Sequence, residues 1–111
     1  MTFEDLLGQI QKIMHQEMRA LEKDYLEMVV AKTDLEAVNL ALQSYFGEPL
    51  KPAGMETSAQ AARFSEPYGG VLSNQTLYFQ QNEKGCEAAL LWPWGSGSAI
   101  TVKLIRDEKL A

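Results

Sequence analysis

The stretch that decides the fold runs Thr76-Leu77-Tyr78-Phe79-Gln80-Gln81, then Asn82-Glu83-Lys84-Gly85, then Cys86-Glu87-Ala88-Ala89-Leu90-Leu91-Trp92. It continues as Pro93-Trp94-Gly95-Ser96-Gly97-Ser98 and closes on Ala99-Ile100-Thr101-Val102-Lys103-Leu104-Ile105. Two Gly-bearing turn signals separate three segments rich in aromatic, aliphatic and β-branched residues, which is the pattern of an antiparallel meander. Pairing Gln81 with Cys86 around the first turn sets Phe79 opposite Ala88 and Leu77 opposite Leu90, with Gly85 supplying a positive φ. Pairing Trp92 with Ser98 around loop 93–97 sets Leu90 opposite Ile100, Ala88 opposite Val102 and Cys86 opposite Leu104. That register also places Glu87 beside Lys103, an opposite-charge pair on the other face.

One sheet face is then Leu77, Phe79, Ala88, Leu90, Trp92, Ile100, Val102 and Leu104, and the helices are expected to cover it. The opposite face is mixed. On it Tyr78, Ala89, Leu91 and Ile105 form a modest apolar patch, and Tyr78, Leu91 and Ile105 are the candidate interface residues.

Working back toward the N-terminus, Thr2 and Asp5 resemble a helix cap, and Phe3, Leu6, Leu7, Ile10, Ile13, Met14, Met18, Leu21, Tyr25 and Met28 recur at helical spacing. This predicts a long amphipathic first helix. Tyr25 to Ala31 either continues it or forms a strand, and Val29-Val30 together with a new helix start at Thr33 favour the strand. Thr33-Asp34-Leu35-Glu36 reads as a capping box for a second helix over Asp34 to Phe46, stopped by Gly47 and Pro49. Residues 48–74 carry Pro49, Pro52 and Pro67 with glycines at 54, 69 and 70, and read as a long connection with a helical turn at 58–64. The expected fold is two-layer α+β, with two or three helices on one face of an antiparallel three- or four-stranded sheet, in the order α-β-α-β-β-β.

With 111 residues the chain suits one domain, 1–111, and its 46% hydrophobic and 23% charged content argues against disorder. The net charge of -5 sits in the N-terminal half, where residues 1–56 hold ten acids and five bases while 57–111 hold five of each. Nucleic-acid binding draws on clustered Lys and Arg, and with no such cluster the reading is no nucleic acid and no membrane partner. No basic, apolar leader opens the chain and no run reaches membrane-spanning length, which together with one cysteine points to a cytoplasmic setting.

Chemistry has few handholds. His15 is the only histidine and Cys86 the only cysteine, so a nucleophile dyad or a zinc site lacks members. His15 reads as a boundary residue beside Arg19 and Glu22, and Cys86 as a small buried hydrophobe. The acids Glu17, Asp24, Glu27, Asp34 and Glu36, interleaved with Lys23 and Lys32, read as a solvated face. No catalytic residue, metal ligand or cofactor is assigned, and the chain reads as not an enzyme.

Trp94 is the residue with a claim on function. Register turns Trp92 into the core at the end of the sheet, whereas Trp94 sits in the turn, where it can pack on loop 48–74, line a pocket with Phe64 and Tyr68, or anchor a partner. The leading expectation is a non-catalytic interaction or adaptor module that self-associates as a homodimer, resting on the first helix's stripe and the mixed sheet face. The other is small-molecule binding between loop 48–74 and the Trp94 turn.

Overall fold

The computed structural model describes residues 2–50, 59, 62, 63, 66, 74–82 and 85–107. Its elements are α1 (Phe3–Lys12), β1 (Glu17–Glu22), β2 (Tyr25–Ala31), a 3-10 turn (Lys32–Asp34), α2 (Leu35–Phe46), β3 (Thr76–Asn82), β4 (Gly85–Pro93) and β5 (Ala99–Asp107). The strands form one antiparallel sheet in the order β1-β2-β5-β4-β3, so the α+β class holds with five strands in place of three or four.

The expected long first helix is two elements. α1 starts on a capping box in which the Thr2 hydroxyl accepts from the Asp5 amide and the Asp5 carboxylate accepts from the Thr2 amide, and it buries Phe3, Leu6, Leu7 and Ile10. It ends at Lys12, and residues 17–31 form the β1–β2 hairpin, so Tyr25 to Ala31 is indeed a strand. The helical spacing of Met18 and Leu21 misleads for a physical reason. A bulge between Met18 and Ala20 adds a residue to β1 and brings both side chains, three apart in sequence, opposite Met28 and Leu26 on one face.

α2 also starts differently from expectation: Asp34 is its N-cap without a side-chain cap bond, and Lys32–Asp34 forms the 3-10 turn, so the capping box is not made. Its end is as read, with Gly47 at φ 80. Ala59, Ala62 and Arg63 are helical, inside the turn expected at 58–64.

The β3–β4 hairpin has the expected register, Gln81 with Cys86, Phe79 with Ala88 and Leu77 with Leu90, and Gly85 has φ 147. The β4–β5 register is three residues away from expectation: Trp92 pairs with Thr101, Leu90 with Lys103, Ala88 with Ile105 and Glu87 with Arg106. β4 is apolar on both faces, so matching apolar residues across the pair does not select one register. The turn decides it: the Trp94 amide donates to the Ala99 carbonyl at 2.9 Å and the Gly97 amide to the Trp94 carbonyl at 2.9 Å, with Gly97 at φ 76.

An odd shift turns β4 over relative to β5. The helices therefore pack on Leu26, Met28, Val30, Tyr78, Ala89, Leu91, Ile100, Val102 and Leu104. The second face carries Leu77, Cys86, Ala88, Leu90 and Ile105, all buried, with Tyr25, Phe79 and Trp92 partly buried beside them. Arg106 ties the N-terminus of α1 to the β1–β2 turn, donating to Glu4 at 2.8 Å and to Asp24 at 2.9 Å while its guanidinium lies 4.7 Å from the Phe3 ring. Among the described residues no helix is long and apolar enough to cross a membrane.

Candidate functional site

The β4–β5 turn brings Trp92, Trp94 and Thr101 to one corner of the second face. Trp92 and Thr101 are directly opposite in register, and the Trp94 indole N–H donates to the Thr101 hydroxyl at 2.9 Å. Trp94 is thereby held at both its backbone and its indole, yet it is 40% exposed. The guanidinium of Arg19, on β1, lies 5.8 Å from its ring centroid, within cation–π range.

Arg19 is positioned by two acids. Its Nε donates to Glu17, which raises its pKa, and its Nη1 lies 3.7 Å from Glu27. Glu27 also accepts from the Tyr25 hydroxyl at 2.6 Å.

Across β5 from Glu27 stands Lys103, midway along the sheet's central strand and partly buried. Its Nζ is 3.7 Å from the Trp92 ring centroid. Burial pulls its pKa below the ordinary lysine value, with the charge of Glu27 opposing the shift. The Nε1 of Trp92 is buried with no hydrogen-bond partner among the described residues.

The helix-covered face has its own polar group. Glu87, 5% exposed, accepts at Oε1 from the Tyr45 hydroxyl at 2.6 Å and from Gln80 Nε2 at 2.7 Å. Tyr78 donates to Asn39 at 2.8 Å. These bonds stitch α2 to the sheet and satisfy side chains that burial would otherwise penalise.

The candidates from sequence fare unequally. Trp94 is exposed and fixed. Phe64 and Tyr68 lie outside the described residues, as does most of loop 48–74, so the pocket expected there does too. Tyr78, Leu91 and Ile105 are 1%, 3% and 1% exposed, which corrects the expectation of an open interface: the β5 register puts Tyr78 and Leu91 under the helices and Ile105 in the second core cluster. His15 donates from Nδ1 to the Ile13 carbonyl at 2.9 Å, a local turn contact. Cys86 is buried, and burial followed by the charge of Asp107 pushes its thiol pKa up, away from thiolate reactivity. Among the described residues no three His, Cys, Asp or Glu side chains gather as metal ligands.

Sequence reading missed Arg19, Glu27, Lys103 and Thr101. The available signal was Lys103 itself, a cation in the middle of a β-branched apolar strand, but its neighbours depend on the register. No known family, no curated protein and no solved structure matches the chain.

Proposed function

We propose that the protein is a non-catalytic interaction module that self-associates as a homodimer through the surface formed by the β1 edge and Trp94. Both original grounds for self-association are gone, since the first helix is short with its apolar face buried and the mixed sheet face is covered. A different surface takes their place. Among the described residues the large exposed hydrophobics are Met14, Leu21, Leu40, Leu50 and Trp94, and three of them border β1: Leu21 lies on it, Met14 just precedes it, and Trp94 stacks toward its Arg19.

The single observation that carries this reading is Trp94, exposed while its indole and backbone are both held. Tryptophan and arginine are the residues most enriched at binding hot spots, and an anchor already fixed in place loses little entropy on contact. The bulge in β1 and the charges of Glu17, Arg19 and Glu22 disfavour open-ended strand stacking, which suits a closed pair. A cytoplasmic setting goes with this reading, the one cysteine being free and buried.

Sedimentation equilibrium from micromolar to millimolar concentration tests it. The wild type is expected to show a reversible dimer that Trp94→Ala and Leu21→Glu weaken at least tenfold without changing the circular dichroism spectrum. A monomer at every concentration, or a dimer indifferent to both substitutions, overturns the proposal.

A further inference from the structure

We infer that two copies of the chain meet antiparallel along β1, about a two-fold axis beside Ala20 and Leu21, and that four charges on this edge set the pairing. This rests on the self-association proposed above and adds its orientation and its specificity. Along the edge, Glu17, Arg19, Glu22 and Lys23 follow one another as minus, plus, minus, plus. An antiparallel copy presents the same series reversed. Glu17 then faces Lys23 of the second copy and Arg19 faces its Glu22, and the two-fold symmetry makes each contact occur twice. A copy in the parallel sense sets every charge against its like.

All four side chains are exposed, and neither Glu22 nor Lys23 has an ion-pair partner among the described residues. Glu17 engages Arg19 through Oε2, which leaves its Oε1 for a second cation. Asp24, next to Lys23 in the turn, is held by Arg106 at 2.9 Å. The charge of the whole chain favours the same place. Each copy carries -5, so two copies repel overall and associate best where the local charge cancels. Residues 17–23 hold two acids and two bases. Between these charges lie Ala20 and the exposed Leu21, which give the pair an apolar centre with ion pairs at either end. Val29 is opposite both Glu17 and Thr101 in register, and the Trp94 indole is bonded to Thr101, so Trp94 stands at the Glu17 end of the edge. Its exposed ring therefore receives Lys23 of the second copy beside the Glu17 carboxylate, where a cation–π contact adds to the ion pair.

Two charge reversals test the pairing by sedimentation equilibrium. Lys23→Glu, which breaks no ion pair within the described chain, sets an acid against Glu17 of the other copy. Glu17→Lys sets a base against its Lys23. Each protein alone is expected to dimerise about tenfold more weakly than wild type, or worse. Mixed in equal amounts, the two form a heterodimer in which both of these contacts are again of opposite sign. That mixture is expected to dimerise within about threefold of wild type, a recovery that a misfolded variant cannot give. Raising the salt is expected to weaken the wild type and the mixed pair together. An undiminished dimer in Lys23→Glu, or a mixture no more dimeric than its separate components, overturns the inference. Trp94→Ala separates that failure from failure of the surface itself. If it still weakens the wild-type dimer, β1 and Trp94 remain the surface and only the pairing is wrong, whereas a wild type that is monomeric at every concentration removes both.

Discussion

The two faces of the sheet solve the same burial problem in different ways. The helix-covered face is aliphatic at its centre, and the charged group it buries, Glu87, is hydrogen-bonded by Tyr45 and Gln80. The second face buries Leu77, Ala88, Leu90 and Ile105 just as fully, yet also carries Lys103, Glu27 and the Trp92 indole, whose N–H has no hydrogen-bond partner among the described residues. A satisfied buried polar group fixes a fold, whereas a buried donor left unsatisfied costs about 1–3 kcal/mol. The difference separates a face whose buried carboxylate is paired from one that leaves a buried indole donor unsatisfied among the described residues.

The largest effects come from truncating the two cores. Leu104→Ala on the helix side and Leu90→Ala on the other remove fully buried side chains, and each is expected to lower the unfolding free energy by about 2–5 kcal/mol in urea titrations. A loss at Leu90 below about 1 kcal/mol would break the comparison, by showing the second face to be loosely packed.

Next comes Tyr45→Phe, which deletes a hydrogen bond to a carboxylate and is expected to cost about 1.5–3 kcal/mol. Burial, then the bond to Glu87, holds the Tyr45 phenol well above the usual tyrosine pKa. The folded state thus keeps its proton where the unfolded chain loses it. The stability this group contributes is complete below the ordinary tyrosine pKa and declines as pH rises beyond it. Burial raises the Tyr78 phenol pKa as well, so absorbance titration should show two tyrosines ionising later than the rest, one of which is absent in Tyr45→Phe.

Smaller again is the α1 cap, where Thr2→Ala is expected to cost about 1 kcal/mol. Asp5, its partner, has its carboxyl pKa lowered first by the Thr2 backbone amide and then by its hydroxyl. That contribution is present above the ordinary carboxylate pKa and is lost as pH falls through the depressed value, so acid should fray α1 in the wild type more steeply than in Thr2→Ala. The smallest effect belongs to Thr101→Val, expected to cost about 0.5–1.5 kcal/mol and to release the Trp94 indole. A faster-relaxing Trp94 signal with an intact Trp92 environment would confirm that the corner is pre-set by this one bond.

Much of the architecture was readable because it rests on local signals. The Asn82–Gly85 turn pins the β3–β4 register, Gly47 ends α2, and Val29-Val30 mark β2. β1 was not readable, since Glu17-Met18-Arg19-Ala20-Leu21-Glu22 consists of good helix formers and becomes a strand by pairing with β2, with a bulge absorbing the helical spacing. The site was legible only as far as Trp94.

The sequence by itself determined the α+β class, the β3–β4 register and the prominence of the Trp92-Pro93-Trp94 turn, because each depends on residues close along the chain. Only the tertiary structure decided which face the helices cover and what surrounds Lys103. β4 is apolar on both sides, and a shift of three residues in its pairing with β5 moves Tyr78 and Leu91 under the helices while bringing Lys103 over Trp92.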